Sequence, residues 1–229
     1  MSKCPKAVIF DLDGTLVHSS IDFPRMKREV IRQFEEFGVP RNLLSVDKTI
    51  SSNMESAREY LLQMGQEKAL LRIEEEIERG LSNIEMEALA DVEEVRYATS
   101  TLAWIMEKGL AIGVLTRGSR RYASEVLVKT SLDSMIRYMV CRDDFPWWEA
   151  KPNGLALRRL VEKLGVEPKE TLLVGDHCMD LECARSTGME FIGVLTGSFD
   201  EDGWIDEGLQ NILDSIALLP DYINKICGP

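Results

Sequence analysis

The amino-acid sequence predicts an α/β protein with a doubly wound parallel sheet and an inserted α-helical domain. From residue 95 onward, short continuous apolar runs alternate with helical patterns, and such runs are typical of strands buried on both faces of a parallel sheet. Residues 18–94, by contrast, show little strand signal and space their apolar residues as helices do. We therefore expect one core of residues 1–17 and 95–229, interrupted by a helical domain of residues 18–94.

Composition and charge narrow the kinds of protein that the chain can be. Its 229 residues, 45% of them hydrophobic, are enough to bury a full core. The net charge of -12 disfavours non-specific binding to nucleic acid, because a phosphate backbone would be repelled. The sequence shows neither an apolar run of about 18 residues, as a membrane span requires, nor a secretory signal pattern. We expect a cytoplasmic protein without nucleic-acid or membrane partners. Its 5 cysteines are odd in number and lack a CxxC spacing, which indicates neither a disulfide framework nor a zinc site, so we expect reduced thiols.

The first strand is predicted at residues 7–10, an apolar run that stops at Asp11. Asp13 follows two residues on, so both carboxylates point to the same side while the chain is extended. Gly14 then allows a tight turn. Ligands of open α/β sheets bind at the carboxyl ends of strands, and paired carboxylates suit a hard divalent cation such as Mg²⁺.

Three helical patterns follow in the inserted domain. The first ends at Gly38, the second covers about residues 53–64, and the third runs from residue 67 to residue 89 with a strongly acidic face. Gly65 and Gly80 indicate breaks, because glycine weakens a helix interior. The sequence thus predicts an all-helical insert.

Strands and helices alternate through the rest of the chain. Short apolar runs predict strands at residues 111–115, 138–141, 171–174 and 191–194. Helical spacing predicts helices at residues 119–129, 152–164 and 181–186, and a last helix carrying the apolar residues of 212–220. A helix between each pair of strands is the connection that a doubly wound parallel sheet requires.

A threonine stands at the end of the second core strand. The Thr116 hydroxyl and the amides of the following turn, at Arg117 and Gly118, lie at a predicted helix N-terminus, where anions bind and where a threonine by itself is typical of an N-cap. A guanidinium is unfavourable at that end of a helix unless an anion lies nearby. We therefore expect Arg117 either to bind a second anionic group of the substrate or to reach solvent or a glutamate of the insert.

Two further sites carry charge at the ends of predicted elements. Lys151 precedes a helix start, where a cation is unfavourable without an anion beside it. Asp176 directly follows a buried strand, and Asp180 lies four residues on. Asp176 thus lies just after a buried apolar run, as Asp11 does.

These four sites resemble the four motifs of the haloacid dehalogenase superfamily. The segments that carry the resemblance are DLDGTL (11–16), VLTRGSR (114–120), AKPNGL (150–155) and GDHCMD (175–180). The position and helical character of the insert are similar to the cap domain of the phosphoglycolate phosphatase and β-phosphoglucomutase branch. The resemblance implies a Rossmann-like core and a Mg²⁺-dependent phosphatase that acts on a small phosphorylated metabolite, of the phosphoglycolate phosphatase kind.

The resemblance also implies a role for each motif residue. Asp11 would attack phosphorus to form an aspartyl-phosphate, and Asp13 would protonate the leaving oxygen and then activate water. Mg²⁺ would be bound by Asp11, the backbone carbonyl of Asp13 and Asp176. Lys151 would neutralise charge on Asp11 and the phosphoryl group, and Asp180 would orient the metal ligands from behind.

Two other functions stay open on the same fold, a sugar phosphomutase and a catalytically silent regulatory protein. The acid at Asp13 disfavours a haloacid dehalogenase or a phosphonatase, and the intact motif set disfavours silence. Substrate identity and oligomeric state do not follow from the sequence. For His18 and His177 we expect either that one of them contacts substrate or tunes the pH response, or that both are solvated loop residues. For Trp147 and Trp148 we expect either a substrate mouth or protein contact, or apolar cover of the sheet edge.

Overall fold

The computed structural model describes residues 4–228. Its strands are β1 (Ala7–Phe10), β2 (Val17–His18), β3 (Glu93–Glu94), β4 (Ala111–Leu115), β5 (Tyr138–Val140), β6 (Thr171–Gly175), β7 (Glu190–Val194) and β8 (Ile212–Leu213). Within this part of the chain, six strands form one parallel sheet in the order β5-β4-β1-β6-β7-β8. The short strands β2 and β3 form a separate antiparallel pair. The sheet and its surrounding helices confirm the predicted fold class.

The helices are α1 (Phe23–Glu36), α2 (Ile50–Gln63), α3 (Glu67–Ala88), α4 (Ala98–Glu107), α5 (Arg120–Lys129), α6 (Gly154–Leu164), α7 (Cys178–Thr187), α8 (Glu201–Asp206) and α9 (Leu219–Cys227). The chain divides into two compact units. One contains the residues up to Ser19 and those from Asp91 onward, and includes the sheet; the other, residues 20–90, contains α1, α2 and α3. No helix in the described part of the chain is both long and apolar enough to cross a membrane.

The central strand β1 fixes the position of the first motif. All four of its residues are buried, and it pairs with β4 on one side and β6 on the other. Phe10 is in register with Val114 of β4 and Val174 of β6, so the three strands end at the same edge of the sheet. The residues that follow these strands, Asp11 and Asp176 among them, are thereby brought to one edge.

Gly80 does not break a helix, contrary to the sequence prediction. It lies inside α3, and a Cβ added there would sit 3.3 Å from the Glu29 carboxylate of α1. The glycine leaves room for the Glu29 side chain at the contact between these two helices. Gly80 therefore serves the close packing of α3 against α1, and the helix is not interrupted there.

The segment after β7 also differs from its prediction. Ile212 and Leu213 form the edge strand β8, in parallel with β7, instead of starting the final helix. Their apolar side chains favour a helix when only the sequence is considered, because they continue a helical spacing with Ile216 and Leu219. The neighbouring edge of β7 offers them backbone hydrogen bonds, and the helix α9 begins only at Leu219.

The predicted helix at residues 152–164 begins later, at Gly154. The Asn153 side chain accepts a hydrogen bond from the Leu155 amide at 3.0 Å and so caps α6. Pro152 therefore lies outside the helix, joined to Lys151 by a cis peptide bond. Lys151 is thus part of a turn that precedes the cap.

Two cysteines are not reduced thiols. Cys4 and Cys227, which lie 223 residues apart, form a disulfide bond. The other cysteines, Cys141, Cys178 and Cys183, are free. The prediction failed because the pairing joins the two ends of the chain, which no local spacing pattern reveals.

Candidate active site

A buried lysine joins two of the motif carboxylates. Lys151 Nζ lies 2.6 Å from Asp11 Oδ1 and 2.7 Å from Asp180 Oδ1. Lys151 is 2% exposed, Asp11 6% and Asp180 0%. Asp176 lies beside them, and one carboxylate oxygen from each of the three aspartates lies within 4.8 Å of the other two. Residues from three separate segments thus meet at the carboxyl edge of the sheet.

This cluster holds more negative than positive charge, since three carboxylates face one ammonium. Burial raises the pKa of Asp11 well above its usual value; Lys151 opposes the shift, and Asp180 and Asp176 add to it. Burial also raises the pKa of Asp180. Burial alone would lower the pKa of Lys151, but Asp11 and Asp180 raise it above its usual value, so the ammonium stays charged. Buried oxygen ligands with excess negative charge fit a hard divalent cation such as Mg²⁺.

Asp176 is enclosed by two glycines. A Cβ on Gly14 would lie 2.5 Å from Asp176 Oδ2, and one on Gly197 would lie 2.1 Å from the same oxygen. Oδ2 accepts a hydrogen bond from the Ser198 amide at 2.7 Å, and the Thr15 hydroxyl lies 3.4 Å from Oδ1. The sequence did not predict the loop that carries Gly197 and Ser198. The one feature that indicates this loop is a glycine and a serine shortly after a buried strand.

Asp180 packs against the end of β6. A Cβ on Gly175 would lie 2.4 Å from the Asp180 carboxyl carbon, so the strand must end in glycine for this side chain to fit. Asp180 Oδ2 accepts from the His177 amide at 3.3 Å, which caps α7. The carboxylate is therefore held from both the helix and the strand while it contacts Lys151.

Asp13 has a different environment from Asp11. Its carboxylate is outside the buried cluster formed by the described residues Asp11, Asp176 and Asp180. Asp13 Oδ1 instead accepts a hydrogen bond from the Tyr122 hydroxyl at 2.8 Å. The two carboxylates of the first motif thus have different partners: Asp11 lies in the charged cluster, and Asp13 accepts a hydrogen bond from the phenol of Tyr122.

The Thr116 turn leads into α5. Thr116 is buried and its Oγ1 accepts from the Gly118 amide at 2.9 Å. Ser119 caps the helix by accepting from the Tyr122 amide at 3.3 Å. The turn after β4 therefore has the form of a helix N-terminus, where backbone amides bind anions.

Arg117 makes a contact that the sequence did not predict. Its Nη1 donates to the backbone carbonyl of Lys151 at 2.5 Å. This carbonyl offers the guanidinium an acceptor within the same unit, so the side chain links the Thr116 turn to the Lys151 turn. Binding of a second anionic group by Arg117 stays a prediction.

The histidines and tryptophans have structural contacts. His177 Nδ1 accepts from the Met179 amide at 3.2 Å, and its ring lies 5.6 Å from that of Phe199. Burial lowers the pKa of His177, with Asp180 opposing the shift. His18 is exposed in β2, in register with Glu93. Trp147 and Trp148 contact each other edge to face, with ring centroids 5.7 Å apart.

The sequence is similar to a known hydrolase family and to known phosphatases. The profile of the family described as haloacid dehalogenase-like hydrolase matches residues 8–194. A phosphoglycolate phosphatase of Pseudomonas putida is 27% identical over 231 residues, covering 98% of this chain and 82% of that protein.

Solved structures share the fold of the whole chain. A predicted phosphoglycolate phosphatase from Haemophilus somnus 129PT superposes with a TM-score of 0.67 at 21% identity, covering 96% of this chain and 98% of that one. A candidate β-phosphoglucomutase from Thermotoga maritima gives a TM-score of 0.61 at 19% identity, covering 96% of this chain and 99% of that one. At these identities the structures show a common fold.

Proposed function

Because the chain belongs to the haloacid dehalogenase-like hydrolase family, as its motifs predict, we propose that it is a Mg²⁺-dependent phosphatase that forms an aspartyl-phosphate on Asp11. Its family and its phosphoglycolate phosphatase relatives identify it as an enzyme of the phosphoric monoester hydrolase class. The contact of Lys151 with both Asp11 and Asp180, beside Asp176, carries the proposal. The substrate is a small phosphorylated metabolite, and phosphoglycolate is the first candidate because the Pseudomonas putida relative is named for it.

In the first half-reaction, the Asp11 carboxylate attacks phosphorus and the bond from phosphorus to the leaving oxygen breaks. Asp13 gives its proton to that oxygen, so the alcohol leaves neutral. The buried Lys151 ammonium offsets the charge that gathers on Asp11 and the phosphoryl group. The Thr116 hydroxyl and the amides at Arg117 and Gly118 bind the phosphoryl oxygens, the Gly118 amide in exchange for its bond to Thr116 Oγ1.

In the second half-reaction, water attacks phosphorus and its proton passes to Asp13. The bond between phosphorus and the Asp11 oxygen breaks, which frees inorganic phosphate and restores the carboxylate. Asp11, Asp176 and the Asp13 carbonyl are the proposed Mg²⁺ ligands, with Asp180 orienting them, and the bound ion would supply positive charge to the phosphoryl oxygens. Lys151, held by Asp180, favours the ionised form of the free Asp11 carboxyl group before the first step and after the second.

Phosphate release tests this proposal. The purified protein should hydrolyse 4-nitrophenyl phosphate and 2-phosphoglycolate with Mg²⁺, lose activity in excess EDTA and regain it with added Mg²⁺. Replacing the buried amine in Lys151→Met should lower kcat roughly 100-fold or more, because a preorganised charge at the reacting group is removed. Lys163→Met, on an exposed position of α6, is the matched control and should keep full activity.

Three results would count against the proposal. Full activity in excess EDTA contradicts the Mg²⁺ assignment. No phosphate release from any ester contradicts a phosphatase, and transfer of phosphate within a sugar phosphate without release supports the phosphomutase alternative.

A cytoplasmic location, with no nucleic-acid or membrane partner, remains a proposal that fits such a metabolite enzyme.

A further inference from the structure

Tyr122 contacts the carboxyl group to which the proposed function gives the proton transfers. Its hydroxyl donates to Asp13 Oδ1 at 2.8 Å, although the two residues are 109 positions apart in the chain. Tyr122 is 0% exposed, whereas Asp13 is partly exposed. The buried phenol of Tyr122 therefore binds a partly exposed carboxyl group, that of Asp13.

The local sequence fixes where this ring lies. Tyr122 is in the first turn of α5, and its amide donates to the capping Ser119 hydroxyl at 3.3 Å. A Cβ on Gly118 would lie only 3.1 Å from Cδ1 of the ring, so the missing side chain of Gly118 gives the ring its place. The turn after Thr116 thereby holds both the proposed phosphate amides and the phenol.

The hydroxyl is not needed for the packing of the ring. An aromatic ring without a polar group would fill the same buried volume, and a buried hydroxyl costs stability unless it forms a hydrogen bond. Here the bond is made to a carboxylate, and hydrogen bonds to charged groups are the strong ones. The terminal torsion of an aspartate is broad, so a donor on one oxygen restricts where the other oxygen lies.

We propose that Tyr122 is a positioning residue for Asp13. Its hydroxyl holds Oδ1 and thereby aims Oδ2 at the oxygen that gains or loses a proton in each half-reaction. In the first, the proton on Oδ2 goes to the leaving oxygen as its bond to phosphorus breaks; in the second, a proton of the attacking water goes to Oδ2. This inference rests on the proposed phosphatase function.

Leaving-group dependence in Tyr122→Phe tests the inference, because this variant keeps the ring and removes only the hydroxyl. Phenyl phosphate and 4-nitrophenyl phosphate have similar shapes, but phenolate is the poorer leaving group and needs the proton more. We expect kcat/KM for phenyl phosphate to fall roughly tenfold or more, as for the loss of a hydrogen bond to a charged group. For 4-nitrophenyl phosphate it should fall much less. With 4-nitrophenyl phosphate, whose first step is little affected, acid quenching should also trap a larger fraction of phosphorylated enzyme, since water activation is slowed.

The chain offers a matched control. The Tyr222 hydroxyl also donates to a carboxylate at 2.8 Å, that of Glu190, at the start of β7 and so at the opposite edge of the sheet. Tyr222→Phe should leave the phenyl to nitrophenyl ratio unchanged. The ratio of the two kcat/KM values is independent of the fraction of folded enzyme, so reduced folding cannot produce or hide the effect.

The outcomes separate the two claims. A ratio in Tyr122→Phe equal to that of the wild type, with no added phosphoenzyme, overturns the role of Tyr122 while a working wild type leaves the phosphatase assignment standing. A wild type without activity on either ester overturns the proposed function itself. A ratio that shifts in Tyr122→Phe but not in Tyr222→Phe supports the positioning role.

Discussion

Arg142 is a buried arginine that binds the backbone of a neighbouring turn. Its Nη1 donates to the Arg117 carbonyl at 2.7 Å, and its amide donates to the Gly118 carbonyl at 3.1 Å. Arg117 in turn donates to the Lys151 carbonyl at 2.5 Å. The two guanidinium groups connect the Thr116 turn, the segment after β5 and the Lys151 turn. The proposed phosphate amides and the lysine are thus held in one arrangement.

Removing this support should weaken phosphate binding. Arg142→Met keeps an unbranched buried stem but removes the donors, so we expect KM for 4-nitrophenyl phosphate and the inhibition constant for inorganic phosphate to rise roughly tenfold, with a smaller change in kcat. Steady-state kinetics measure both constants. Arg158→Met is the control, because Arg158 also donates to a backbone carbonyl, that of Ser186, from an exposed position. Equal constants in Arg142→Met and the wild type would show that the contact does not order the turn.

Local sequence was enough to select Asp11, Lys151 and Asp176, because each directly follows a buried strand or precedes a helix start. The contacts of Tyr122 and Arg142 could not be found in this way. Tyr122 lies inside a predicted helix, and Arg142, although it directly follows the apolar run at residues 138–141, gives no local sign of its partner. The partners of the two residues lie 109 and 25 residues away. Contacts between distant segments form only when the sheet brings these segments together, so a single sequence holds no local signal for them.

At the scale of elements, the central strands and the edge strand β5 follow from the sequence, and the edge strand β8 does not. Strands β1 and β4 have the predicted bounds because a run of apolar residues buried on both faces has no competing conformation at such length. The edge strand β8 has only two residues, both partly exposed. Its backbone pairing with β7 overrides the helical spacing of its side chains. The strand β8 depends on its neighbour β7 for its conformation, so its own residues do not predict it.

At the scale of the whole molecule, the disulfide bond between Cys4 and Cys227 joins the two ends of the sheet-containing unit. It closes a loop that includes nearly the entire chain, inserted helices included. Long closed loops restrict the unfolded chain most, and the chain-entropy relation gives a stabilisation of about 5 kcal/mol for a loop of this size. Such a bond is typical of oxidising compartments and of intracellular proteins from hyperthermophiles, so the proposed cytoplasmic location agrees with it only in the second case.

Reduction should therefore destabilise the protein. Cys4→Ser, or reduction with dithiothreitol, should lower Tm by about 10 °C or more, since about 1 kcal/mol corresponds to 2–4 °C at this length. Cys178→Ser leaves the pair intact and should unfold within a few degrees of the wild type. Thiol titration of the denatured, unreduced protein should find the thiols of Cys141, Cys178 and Cys183. Reactive Cys4 and Cys227 in that sample, together with an unchanged Tm on reduction, would show that the bond is absent.

The central claim is that Asp11 carries the phosphoryl group, and chemical trapping tests it most directly. Enzyme turning over 4-nitrophenyl phosphate with Mg²⁺ is quenched in acid and treated with borohydride, which reduces an acyl phosphate to an alcohol. Trypsin then releases residues 7–25 as one peptide, since Lys6 and Arg25 flank it. Mass spectrometry should find homoserine in place of Asp11, more abundantly in Asp13→Asn and only when substrate and Mg²⁺ are both present. Nitrophenol release without homoserine at position 11, or with the reduced residue elsewhere in the chain, would contradict the account.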